Sequence, residues 1–149
     1  MKQTGTVEQV STSPGGIPKR AVDVAHFTPD GITGDWQKSR KYHGGPDRAV
    51  CLYSVELYAW LRKRGVDLSP GAVGENLTTR GIDLDSLAVG SRLRVGMAMI
   101  ELTDVRIPCA TLKKCDPLLP KLIKGHSGWV AKILEAGAVR AGDGVEVLR

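Results

Sequence analysis

The chain has 149 residues, 42% of them hydrophobic, which suffices to bury about two-thirds of the unfolded surface as one domain over 1–149 and is too little for two comfortable ones. A formal net charge of +5 favours anionic ligands, yet aromatics make up only 5% of the residues and none of the basic-aromatic patterns of nucleic-acid binders is present, so nucleic acid is set aside as a partner. No apolar run approaches the roughly 20 residues that span a bilayer, and the N-terminal Met-Lys-Gln-Thr-Gly-Thr-Val-Glu lacks a signal peptide's apolar core, which predicts a cytoplasmic protein without a membrane partner.

Eighteen glycines and eight prolines are spread along the chain, predicting many tight turns between short elements. Residues Thr6 to Val10 alternate as a half-buried strand does, and so do Ala21 to Phe27, where Val22, Val24 and His26 fall on the apolar face. The Ser13-Pro14-Gly15-Gly16-Ile17-Pro18 loop between them resists regular hydrogen bonding and delivers Lys19 and Arg20 to the second strand, a position from which it could lie over a ligand. Ala49 to Tyr53 is an apolar, strand-like run that assigns Cys51 to the core.

Ser54 suits the N-cap of a helix from Val55 to Arg64, with Glu56 at its positive end, Arg62 to Arg64 at its negative end and Gly65 as the stop. Arg92 to Thr103 reads as two strands around Gly96, a pattern ended by Pro108. Ser127 is read as the cap of a second short helix through Ala136, with Val130, Ile133 and Leu134 on its buried side. Gly144 to Leu148 reads as a closing strand. The expected class is therefore mainly β with small helices (α+β), a β-barrel-like single domain.

Four glycine-associated segments place polar or nucleophilic residues where backbone can approach a ligand: Gly34-Asp35, His43-Gly44-Gly45-Pro46-Asp47-Arg48, Gly74-Glu75-Asn76-Leu77 and Arg106-Ile107-Pro108-Cys109. An imidazole such as His43 titrates near physiological pH and can shuttle a proton, or it can merely stabilise its loop. Arg48, with Lys38, Arg40 and Lys41 nearby, can clamp a phosphate through paired donors or form a solvated basic surface. Glu75 can take a proton and Asn76 can hold a ligand edge, or both can satisfy backbone groups in a turn. Cys109 stands three positions after Arg106, a cation that favours the thiolate as nucleophile or soft-metal ligand, while an inert buried cysteine is the ordinary alternative. Cys115 is a candidate resolving thiol. With no CxxC spacing and an odd cysteine count, free thiols in a reducing compartment are expected.

In this order the four segments, together with Ser127-Gly128-Trp129 and Gly137-Ala138-Val139-Arg140-Ala141-Gly142-Asp143, resemble the MOSC family, named for the C-terminal domain of molybdenum cofactor sulfurases. The likeness runs over nearly the whole chain and is closest to the small bacterial stand-alone members. It implies a barrel-rich fold, molybdenum cofactor as the ligand, and Cys109 as sulfur carrier or molybdenum ligand. Under that reading Cys109 carries the chemistry and Arg48, Gly44, Gly45, Asp47, Gly74, Asn76 and Arg106 form the cofactor-binding set, while residue chemistry alone adds His43 and Glu75 to the catalytic candidates as acid or base. The implied activity is that of a molybdenum-dependent oxidoreductase component, a sulfur transferase or a carbon–sulfur lyase, including reductive detoxification of N-hydroxylated compounds. No pyridoxal-phosphate, flavin or iron–sulfur module accompanies the segments, so a separate sulfur or electron donor protein is expected. Two other functions fit the residues: a metal-free cysteine enzyme acting on a small sulfur-containing or electrophilic molecule, and a non-catalytic basic binding module.

Overall fold

The computed structural model describes residues 3–14, 17–35, 46–106, 112 and 116–148. Among the described residues, eleven strands run in the order β1 (Thr4–Thr12), β2 (Arg20–Ala21), β3 (Ala25–Thr28), β4 (Gly31–Ile32), β5 (Val50–Ser54), β6 (Leu77–Arg80), β7 (Arg92–Val95), β8 (Ala98–Val105), β9 (Trp129–Glu135), β10 (Gly137–Val139) and β11 (Gly144–Val147). Helix α1 (Val55–Arg62) follows β5 directly, and the single-turn α2 (Leu119–Leu122) precedes β9.

One sheet has the order β11-β7-β8-β9-β5-β6-β1-β2, and a further pairing of β11 with β1 closes it into a barrel with β2 as an appendage on β1. Its neighbours are antiparallel except β5 and β6, which run parallel with Leu52 opposite Leu77 and Ser54 opposite Thr79. Alternation drives the closure. Along β8 the residues from Ala98 to Leu102 alternate between buried and half-exposed, so Ala98, Ile100 and Leu102 join Leu93, Val95, Val145 and Val147 in the interior. A separate three-stranded sheet, β10-β3-β4, adds Ala25, Phe27, Ile32 and Val139 to the same core. Among the described residues no helix is long and apolar enough to cross a membrane.

The anticipated strands around Gly96 and at the chain end are present as β7, β8 and β11. The Ser54 hydroxyl caps α1 by accepting the Leu57 amide, and Gly65 beyond the helix adopts φ +88°, a conformation costly for other residues.

Three expectations are corrected. The segment read as a helix from Ser127 to Ala136 is strand β9, paired with β5 on one side and β8 on the other. Trp129, Val130 and Ala131 are all buried there, and such a continuous apolar run satisfies helical and strand spacing alike, so the tertiary pairing decides. The single strand expected over Ala21 to Phe27 is interrupted: β2 joins β1, whereas β3 joins β10 and β4. The chain changes sheets between them, which reverses the phase of alternation, so Ala25 and Phe27 are buried and His26 faces solvent. Cys51, assigned to the core by its apolar neighbours, is half-buried on β5.

Candidate functional site

The parallel pair β5–β6 needs a crossover, supplied by α1 and the chain from 63 to 76. That chain ends in Gly74-Glu75-Asn76, which enters the barrel wall. The Asn76 amide donates to the Cys51 carbonyl at 2.9 Å, and its carbonyl accepts from the Ser11 amide at 2.8 Å. The Asn76 side chain repeats the pattern, with Oδ1 accepting from the Cys51 amide at 3.0 Å and Nδ2 donating to the Ser11 carbonyl at 3.2 Å. One buried asparagine thus joins β1 to β5 at the start of β6.

Glu75 is fully buried. Its carboxyl accepts from the Gly71 amide at 3.0 Å, the Thr78 hydroxyl at 2.8 Å and the Tyr58 hydroxyl at 2.7 Å. Burial outweighs these donors and holds the Glu75 carboxyl above the ordinary carboxylate range. Burial, reinforced by the field of Glu75, likewise raises the hydroxyls of Tyr53 and Tyr58. The two tyrosine rings meet edge to face with centroids 4.8 Å apart.

Gly74 at φ +90° packs tightly against two other segments, because a Cβ there would lie 2.4 Å from Ile17 Cγ2 and 3.4 Å from Arg106 Nη2. Arg106 leaves the end of β8 held at three points. Its amide donates to Gly128 at 3.0 Å, its carbonyl accepts from the Ser127 hydroxyl, and Nη2 donates to the Val73 carbonyl. The remaining terminal nitrogen, Nη1, is buried and has no partner among the described residues, and the same holds for Tyr53 Oη.

On the other side of the crossover, the Lys19 amide donates to Gly71 at 2.9 Å and Lys19 Nζ meets Asp35 Oδ1 at 2.6 Å, with side-chain exposures of 4% and 2%. The same oxygen of Asp35 accepts from the Ser13 amide. This ties the Gly34-Asp35 pair to both ends of the Pro/Gly loop.

The profile of the MOSC domain matches residues 39–146. The chain belongs to the MOSC domain family. It is 34% identical over 139 residues to YflK, an uncharacterized protein of Bacillus subtilis strain 168, covering 89% of this chain and 63% of the relative. It is also 34% identical over 145 residues to the YiiM protein of Escherichia coli K12, covering 91% of this chain and 64% of the relative. The chain thus spans less than two-thirds of the length of either. In fold it is similar to the YuaD protein of Bacillus subtilis, with a TM-score of 0.82 at 20% identity over 99% of this chain and 97% of that one.

Within this MOSC domain, three of the four signature segments converge: Gly74 to Asn76, Arg106, and Asp35 through Lys19 and Gly71. The described part of the fourth lies elsewhere. The Asp47 carbonyl accepts from the Thr103 hydroxyl at 2.5 Å, and Arg48 Nη2 stands 3.7 Å from Asp104 Oδ2. Both border an open concavity of about 410 Å³ shared with Glu101 and Val89, whose lining includes neither Glu75 nor Arg106. Cys109, His43, Gly44, Gly45 and Cys115 lie outside the described residues, as do Lys38, Arg40 and Lys41. Among the described residues no group of acidic, histidine and cysteine side chains is arranged to hold a metal ion.

Sequence reading passed over Tyr53, Tyr58 and Ser127 as polar partners of the site, and left Lys19 as a loop-end cation. For Tyr53 a signal was present: a tyrosine directly after the apolar run Val50-Cys51-Leu52 in a strand must bury a hydroxyl that needs a partner.

Proposed function

We propose that this chain binds molybdenum cofactor, a phosphate-bearing pterin, and uses Cys109 as sulfur carrier or molybdenum ligand, in sulfur transfer or in reduction of N-hydroxylated compounds. Membership of the MOSC family supports the ligand class. The observation that carries the reading is Arg106 Nη1, a buried guanidinium nitrogen that has no partner among the described residues and stands three positions before Cys109. A buried donor left unmade costs about 1–3 kcal/mol, more when charged, so its retention marks a place where an anion binds.

The residues present fit such a ligand. Arg106 takes an anionic oxygen, Gly74 allows Ile17 and Arg106 to close against its backbone where a side chain would clash, and Asn76 and Glu75 are positioning residues that fix Gly74 through β1, β5 and α1. When bound, the cofactor supplies the redox or sulfur-accepting metal centre that no side chain can provide. The chain's own part is to orient the ligand's anionic end and to present the Cys109 thiolate, with Arg48 and Asp47 at a concavity of their own and His43 as proton carrier. Sulfur or electrons come from a separate donor protein.

The test is metal and pterin analysis of protein purified gently from a host that makes the cofactor. The wild type is expected to carry near-stoichiometric molybdenum and pterin, with molybdenum lost in Cys109→Ser. Absence of both from the wild type overturns the proposal in favour of metal-free cysteine chemistry.

A further inference from the structure

We propose that Tyr53 Oη and Arg106 Nη1 together form a two-donor site for one tetrahedral oxyanion of the phosphate class, which makes Tyr53 a ligand-binding residue. The inference deepens the cofactor reading by naming the side chains that take the ligand's anionic end, and its ligand class rests on that reading.

Both atoms are buried and without a partner among the described residues, and each carries a hydrogen to donate. A guanidinium has no acceptor. The Tyr53 hydroxyl, which burial keeps protonated, has a hydrogen to give. The two side chains flank one point of the fold: the Arg106 amide donates to the Gly128 carbonyl at 3.0 Å, and a Cβ on Gly128 would lie 3.1 Å from Tyr53 Cδ1. Arg106 is also close enough to favour the ionised form of Tyr53, against burial and the field of Glu75.

The neighbouring acceptor is already taken. Glu75 accepts from Tyr58, Thr78 and Gly71, which leaves the two donors without a protein acceptor among the described residues. The charges differ as well. Lys19 is paired with Asp35 and Arg48 with Asp104, whereas Arg106 makes no ion pair among the described residues. A buried water could accept from both donors but would leave the guanidinium charge uncompensated, and an anionic oxygen meets both needs. Tyr53 on β5 and Arg106 at the end of β8 are held by strands and by the three further hydrogen bonds of Arg106, so the pair is set before a ligand arrives.

The test uses the full chain from a host unable to make the cofactor, titrated with inorganic phosphate against chloride at matched ionic strength and followed by calorimetry and thermal unfolding. The wild type should bind phosphate and rise in Tm. Tyr53→Phe should weaken binding about tenfold, the worth of one hydrogen bond to a charged group, while its Tm without phosphate stays at or above wild type because the lost hydroxyl had no partner. Arg106→Lys keeps the charge, loses the fork, and should weaken binding at least as much; it decides the matter if Tyr53→Phe does not fold. Methyl phosphate binding as well as inorganic phosphate assigns the site to a phosphate ester, and binding of inorganic phosphate alone assigns it to a free anion. A wild type indifferent to phosphate, or a Tyr53→Phe that binds like wild type, overturns the site. A wild type that carries molybdenum and pterin yet ignores phosphate overturns this site alone, and one that binds phosphate but never carries cofactor overturns the cofactor reading alone.

Discussion

Lys19 Nζ and Asp35 Oδ1 stand 2.6 Å apart with both side chains almost wholly shut off from water. The pair bridges the two sides of the loop that covers Gly74, because Asp35 also accepts the Ser13 amide and Lys19 is pinned by backbone to Gly71.

Removing one member should leave an uncompensated buried charge. Lys19→Met and Asp35→Leu are each expected to lower stability by about 3–5 kcal/mol in urea unfolding, whereas the double variant should recover most of that loss. Additive losses in the double-mutant cycle would show that the two groups do not act as a pair.

Glu75 gives the protein a pH dependence of defined sign. Its folded-state value lies above the unfolded one, so its contribution is fully present below the ordinary carboxylate range and is lost as pH rises through the folded value. Glu75→Gln keeps an acceptor for Tyr58, Thr78 and Gly71 and cannot ionise. Measured by urea unfolding at pH 5, 6.5 and 8, the variant should gain on wild type as pH rises. Parallel curves would mean that Glu75 does not titrate in this interval.

Asn76 is a clamp whose chemistry is specific. Asn76→Ala should cost about 2–4 kcal/mol, because the Cys51 amide and the Ser11 carbonyl are left unsatisfied inside the barrel wall. Asn76→Asp should do no better, since it keeps the acceptor but loses the donor and buries a charge. Hydrogen exchange should show the loss first in β1 and β5.

Gly128 sits where no side chain fits. It adopts φ +80°, and a Cβ would stand 2.0 Å from the Leu52 carbonyl oxygen. Gly128→Ala should cost at least about 2 kcal/mol. Because Gly128 also accepts the Arg106 amide, the same change should weaken phosphate binding in whatever fraction stays folded.

Local chemistry made much of this legible. Ser54 and Gly65 marked α1, and strict alternation marked β8. The glycine-bounded segments singled out Gly74 to Asn76 and Arg106, which the fold brings into contact. What the sequence could not convey was partnership across distance. A run like Trp129 to Leu134, apolar but for Lys132, suits helical and strand spacing alike, so only its pairing with β5 and β8 makes it a strand. Asn76 reads as a ligand contact or a turn-former with equal ease, and only the positions of Ser11 and Cys51 reveal a clamp. Lys19 read only as a cation at the end of a loop until the chain folded Asp35 against it.

The strand count of the barrel has a consequence of its own. Around any closed ring of strands, each antiparallel neighbour reverses direction, so a full circuit returns to its starting sense only if the reversals are even in number. The barrel closes with seven strands once β2 is left aside, and an odd ring cannot be antiparallel throughout. One seam has to run parallel, and it falls between β5 and β6. A parallel seam cannot be closed by a hairpin, so the chain must travel across an end of the barrel to make it. The residues on that detour include Tyr58, Gly74, Glu75 and Asn76. The place where the ring's arithmetic forbids a short turn is the place where this protein gathers its polar chemistry.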